Sequence, residues 1–156
     1  MLTNIPMPPS SNAQYAAMAI RGGEGRWFGK IRPTKALENY HEEFNKWRMI
    51  NNIAVGKARV FIRDNLLKDK MLSVDTYCCF PHSDMWTIKS TVKKMDASNR
   101  LKALHDCLSD VLQIDDSWFW KSSVEKLETK TENPWCFVVI KPVTVRSVRD
   151  IKQADL

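Results

Sequence analysis

Acidic side chains bracket one amphipathic stretch of this chain and thereby dictate where the backbone has to turn. Asp96 precedes the stretch, and Asp115 and Asp116 follow it. Between them Leu101, Leu104, Leu108, Val111 and Leu112 recur at three- and four-residue steps, which predicts a helix from about Ser98 to Leu112 with one apolar side. The other side lines up Asn99, Lys102 and Asp106 as an exposed strip. A helix of about fourteen residues is ~20 Å long, so acids at its two ends cannot meet through the helix alone. Either the chain after Asp116 returns as a strand beside the one leading to Asp96, or a second copy supplies the other acid.

The remaining pattern supplies the elements for such a return. Met7 to Asn12 reads as a strand end breaking into a turn, because its prolines fix φ and its Ser and Asn bond locally. Arg21 to Arg26 is glycine-rich and charged, expected to be a mobile loop, and it lacks the Gly-Lys-Ser/Thr ending of a phosphate loop. After Thr34, the residues Leu37, Tyr40, Phe44, Trp47 and Asn51 form a second helical stripe, suited to a core or a dimer face. Leu72, Val74, Thr76, Cys78 and Phe80 alternate as a strand should. Two more strands are expected near 118–128 and 135–140, joined by a hairpin loop at Thr131 to Pro134. The expected architecture is α+β, a mixed or antiparallel sheet packed with two main helices, in one domain over residues 1–142 with a tail at 143–156.

Charge narrows the partners. The chain has 156 residues, enough for one core, and 24 Lys+Arg against 18 Asp+Glu give a formal charge of +6. A basic balance favours polyanions, since neutralising phosphates releases counterions. The four cysteines contain no Cys-x-x-Cys pair, which argues for reduced, buried thiols rather than a zinc site. His41, His82 and His105 show no metal-ligand spacing, and His105 is expected on the helix surface. The start of the chain has no signal-peptide pattern, and its apolar runs are too short for a bilayer. A cytoplasmic setting is expected, in a cell or in the host of a phage.

The pattern Asp96-x-Ser98-Asn99-x-x-Lys102-x-x-x-Asp106, followed by Asp115-Asp116, resembles the signature of RusA-type Holliday junction resolvases. Pro8-Pro9-Ser10-x-Asn12 is similar to a segment near that family's N-terminus, and the likeness extends over about residues 5–142. The resemblance implies a homodimeric, Mg²⁺-dependent endonuclease (Mn²⁺ being a possible substitute) that cuts four-way DNA junctions in recombination and repair. It assigns metal binding to Asp96 and Asp116, with Asp115 as a further ligand, and makes Lys102 the essential lysine. Lys93, Lys94, Arg100 and Lys121 are candidate DNA contacts, and Ser98, Asn99 and Asp106 candidate accessory residues. The chain departs from the pattern at Ser98, where these enzymes often carry a second aspartate.

Each motif also has a plainer reading. Asp96 can cap a helix, Lys102 and Asp106 can be a surface ion pair, and Asp115-Asp116 can form a turn. Trp118 and Trp120 are expected to pack, at a dimer interface for instance, in preference to stacking on bases. Two other functions compete with the nuclease. One is a RusA-like dimer that grips DNA without cutting it, Ser98 being the lesion. The other is an interaction protein working through the Tyr40, Phe44 and Trp47 face.

Overall fold

The computed structural model of the chain describes residues 1–21, 27–68, 70–93 and 100–144. Strand β1 (Leu2–Pro6) is followed by a short helix α1 (Ser11–Gln14) and an antiparallel pair, β2 (Tyr15–Arg21) and β3 (Trp27–Pro33). Two long helices come next, α2 (Lys35–Ile50) and α3 (Asn52–Leu66). Strand β4 (Met71–Pro81), helices α4 (His82–Met85) and α5 (Leu101–Leu112), then strands β5 (Phe119–Thr129) and β6 (Trp135–Val143) complete the order.

The main sheet runs β1-β6-β4-β5, with β4 parallel to β5 and antiparallel to β6. The expected mixed sheet is therefore present, but the expected hairpin is not. β5 and β6 lie on opposite sides of β4, so the connection through Thr131 to Pro134 carries the chain around the end of β4. Alternation reports which face a residue occupies and not which strand sits next to it, and the two arrangements share one alternation.

One face of the sheet makes the core. Leu72, Val74, Cys78 and Phe80 of β4, Cys136 and Val138 of β6, and Leu2 and Ile5 of β1 are all buried there against the helices. The stripe expected on α2 supplies Leu37, Tyr40, Phe44 and Trp47, each almost wholly inaccessible, while Glu38, Glu42, Asn45 and Lys46 face solvent. Burying a side chain of this size stabilises by about 1.5–3 kcal/mol, which outweighs the weak helix preference of the aromatics. Thr34 caps α2, its hydroxyl accepting from Leu37 N–H at 3.4 Å and donating to the Ala13 carbonyl. The Trp47 indole donates to the Thr3 carbonyl at 2.9 Å, fastening α2 to β1.

Three main helices are present where two were expected, α3 being the addition. Only Val55 and Ile62 of α3 are buried, seven residues apart, too sparse a signal to read as a stripe. Its place is held partly by Arg59, whose Nε donates to the Val111 carbonyl of α5 at 2.7 Å. The β2–β3 pair was likewise unforeseen, and residues 22–26 of the glycine-rich loop lie outside the described residues.

The other face of β4 carries a different chemistry. Asp75 accepts from Ser123 Oγ at 2.6 Å and from Lys141 Nζ at 2.9 Å, and the Tyr77 ring stacks on Phe137 with centroids 4.4 Å apart. Those two donors hold the Asp75 carboxyl below its ordinary value, Ser123 contributing most. All four cysteines are free and buried, as expected, with Cys78 and Cys136 facing each other across β4 and β6 at 3.8 Å. No helix among the described residues is long and apolar enough to cross a membrane.

Candidate active site

Helix α5 buries Ala103, Leu104, Cys107, Leu108, Val111 and Leu112, and this choice of face leaves Lys102 and Asp106 outward. Lys102 Nζ lies 3.5 Å from Asp106 Oδ2, one turn along. Both side chains are solvated, so the pair contributes little to stability and is free to exchange partners. The helix ends at Gln113 in the left-handed conformation, φ 59°, which turns the chain sharply.

The acidic pair follows that turn and forms one of its own. Asp115 Oδ1 accepts from Ser117 N–H at 2.8 Å and caps a 3-10 turn, Asp116–Trp118. Its contacts with Ser117, side chain first and then backbone, hold the Asp115 carboxyl below its ordinary value. Asp116 is exposed at the start of the turn. The chain then enters β5 at Phe119, whose ring meets that of His105 edge-on, centroids 5.4 Å apart. The loop bearing Asp116 thus comes back over the second turn of α5, and β5 continues beside β4. The chain after Asp116 therefore returns as a strand beside β4, while Asp96 lies outside the described residues.

His105 corrects an expectation. It is partly buried, and its Nε2 is enclosed with no hydrogen-bond partner among the described residues. Burial pulls its imidazole below the ordinary value, opposed by the negative charges of Asp116 and then Asp106. Both carboxylates are thus near enough for their charge to be felt at the ring. The sequence held a signal for this, since His105 continues the line Leu101, Leu108, Leu112 at steps of four, three and four.

Asp96, Ser98, Asn99 and Lys94 fall in 94–99, outside the described residues. The residues flanking that segment are well tied. Lys93 N–H donates to the Met85 carbonyl at 2.7 Å and Lys93 Nζ to the Ser83 carbonyl at 2.6 Å. Residues 82–86 are in turn clamped by Glu128 of β5, which accepts from His82 Nδ1 at 2.8 Å and from the Trp86 indole at 3.0 Å. These two donors, His82 first, lower the Glu128 carboxyl. On the far side, Arg100 donates to the Pro8 carbonyl and lies over the Phe80 ring at 5.6 Å. Arg100 is therefore engaged within the fold, through the Pro-Pro-Ser segment that the sequence singled out.

The other candidates are more scattered. Lys121 lies opposite Ser73, and its charge is felt by Asp75 on the open face of the sheet, away from α5. Trp118 and Trp120 do not pack in the core of the chain, being 36% and 56% exposed. Lys102 and Asp106 pair on α5, and Asp116 stands on the turn that returns to that helix. Among the described residues no three side chains of His, Cys, Asp and Glu are close enough to hold a metal ion. The donors present are solvated carboxylate oxygens, the type a hard divalent cation takes together with water.

No curated protein sequence matches the chain. The family model for endodeoxyribonuclease RusA matches residues 6–141, a span reaching from the end of β1 to the last strand and including the whole candidate site. A chain with this mixed sheet, this acidic turn folded back on its helix, and this match over nearly its full length belongs to the RusA endodeoxyribonuclease family.

Proposed function

We propose that this protein is a divalent-metal-dependent endonuclease that resolves four-way DNA junctions and related branches, acting as a homodimer in the cytoplasm of a cell or of a phage's host. One observation carries the reading: in a RusA-family chain, the Asp116 turn comes back beside the Lys102, His105 and Asp106 strip. Asp96 and Asp116 would hold Mg²⁺ or Mn²⁺, with Asp115 as a further ligand. When bound, the ion supplies Lewis-acid polarisation of the phosphodiester and lowers the pKa of a water. Lys102 leaves Asp106 to hold a phosphate oxygen and to offset charge that grows there during cleavage. Asp106 serves as the resting partner of that ammonium. His105 keeps the Asp116 turn in place by filling the space between helix and strand. Lys93, Lys94 and Lys121 contribute to the non-specific hold on DNA through counterion release, and Ser98 and Asn99 act as accessory residues beside Asp96.

The test is cleavage of a synthetic four-way junction by the purified protein, with and without Mg²⁺. Symmetrical nicking with Mg²⁺, abolished in Asp96→Asn and in Asp116→Asn while junction binding survives, is the expected result. Lys102→Ala should lose about 10²–10³-fold in rate. Equal cutting by Asp96→Asn, or loss of junction binding in it, would sink the assignment. Ser98 supports a second reading, a dimer that binds junctions without cutting them. In that case the wild type is inert with Mg²⁺, and Ser98→Asp creates cleavage.

A further inference from the structure

Helix α3 presents solvent with a face that nothing among the described residues covers. Ile53 and Val60 on it, and Leu67 at its C-terminal cap, recur every seven residues and are 73%, 49% and 78% exposed. Large apolar residues gathered on one face are unlike the single exposed ones that any surface carries. Gly56 sits on the same face, three residues after Ile53 and four before Val60. A Cβ built there would meet nothing within 4 Å, so no contact inside the chain calls for glycine. Glycine inside a helix is destabilising relative to alanine, and an uncovered one suits close approach by another backbone.

The charges on this face point to the occupant. Lys57 and Asp64 are placed symmetrically about the Val60–Phe61 peptide. If a second α3 crosses antiparallel at that point, each Lys57 meets the other copy's Asp64, as a two-fold interface requires. Among the described residues Asp64 has only the solvated Arg63 pair at 3.6 Å. The helix is also a ridge between two grooves. One, of about 330 Å³, is lined by Met1, Lys57, Ala58 and Phe61. The other, of about 530 Å³, is lined by Val60, Leu67 and Trp118. A ridge flanked by grooves can pack against its own copy.

We infer that α3 is the self-association surface of this protein, pairing antiparallel with α3 of a second copy through Ile53, Gly56, Val60 and Leu67, with Lys57–Asp64 pairs on either side of the axis. The inference rests on the homodimer proposed above and not on nuclease chemistry. Sedimentation velocity over a concentration series tests it. The wild type should sediment at twice 18.1 kDa. Val60→Glu should weaken association by about a hundredfold or more, because two carboxylates would be buried at the axis, with an unchanged far-UV circular dichroism spectrum. Lys57→Glu should weaken it about tenfold, and Lys57→Glu/Asp64→Lys should recover most of the loss. A dimer that survives Val60→Glu overturns the surface and leaves the homodimer standing, as does a double reversal no tighter than the single one. A wild type that stays a single 18.1 kDa species at every concentration removes both.

Discussion

Helices α2 and α3 meet at Asn51 and have nearly the same length, yet they divide their side chains in opposite ways. α2 turns four large residues into the core and keeps its outer face charged as far as its last turn, where Met49 and Ile50 are exposed. α3 turns in only Val55 and Ile62, and leaves Ile53, Val60 and Leu67 in water. A helix with one apolar stripe is satisfied by its own chain. A helix with an apolar stripe on the outside has a second requirement, and its stability inside the subunit says little about it.

The comparison can be broken most directly with two phenylalanines. Phe44→Ala on α2 should cost about 3–5 kcal/mol in chemical denaturation, because a fully enclosed ring leaves a cavity. Phe61→Ala on α3, where the ring is substantially exposed, should cost about 1 kcal/mol when measured at concentrations low enough to hold the subunit monomeric. Equal losses would mean that α3 is as deeply committed to the core as α2. Gly56→Ala sharpens the contrast with a change of opposite sign. It should stabilise the dilute subunit by about 0.5–1 kcal/mol, since the added methyl meets no neighbour. A fall in thermal midpoint would show that the position is crowded after all.

The smallest effect is expected on the open face of the sheet. The Asp75 carboxyl is depressed in the folded state, so its contribution is present above the ordinary carboxylate value near pH 4. That contribution is lost as the pH falls through the depressed value. Asp75→Asn should therefore be slightly less stable than wild type at pH 7, and its stability should fall less steeply between about pH 4 and 2. Parallel acid slopes for the two proteins would show that Ser123 and Lys141 do nothing for the ionised form.

The difference between the helices also explains what could be read from residues alone. α2 and α5 were legible because four or more apolar side chains repeat at helical steps against one core. α3 was not, since its inward pair is separated by two turns and its outward residues blur the pattern. The alternation of β4 was plain, but the neighbours of β5 and β6 depend on which strand fits between them. In the site, the acidic pair and Lys102 stood out by type and spacing. The partial burial of His105 depended on Phe119 arriving from β5, and the cap formed by Asp115 on local backbone geometry.

The pairing of β1 has a temporal consequence. Among the described residues its partner strand is β6, with Leu2 opposite Val138. On a ribosome adding about 5–20 residues per second, β1 emerges about 6–26 seconds before the strand that receives it. Until then the apolar side chains of Leu2 and Ile5 have no sheet to join, and any nascent-chain binding factor that meets this protein will find its opening residues still on offer.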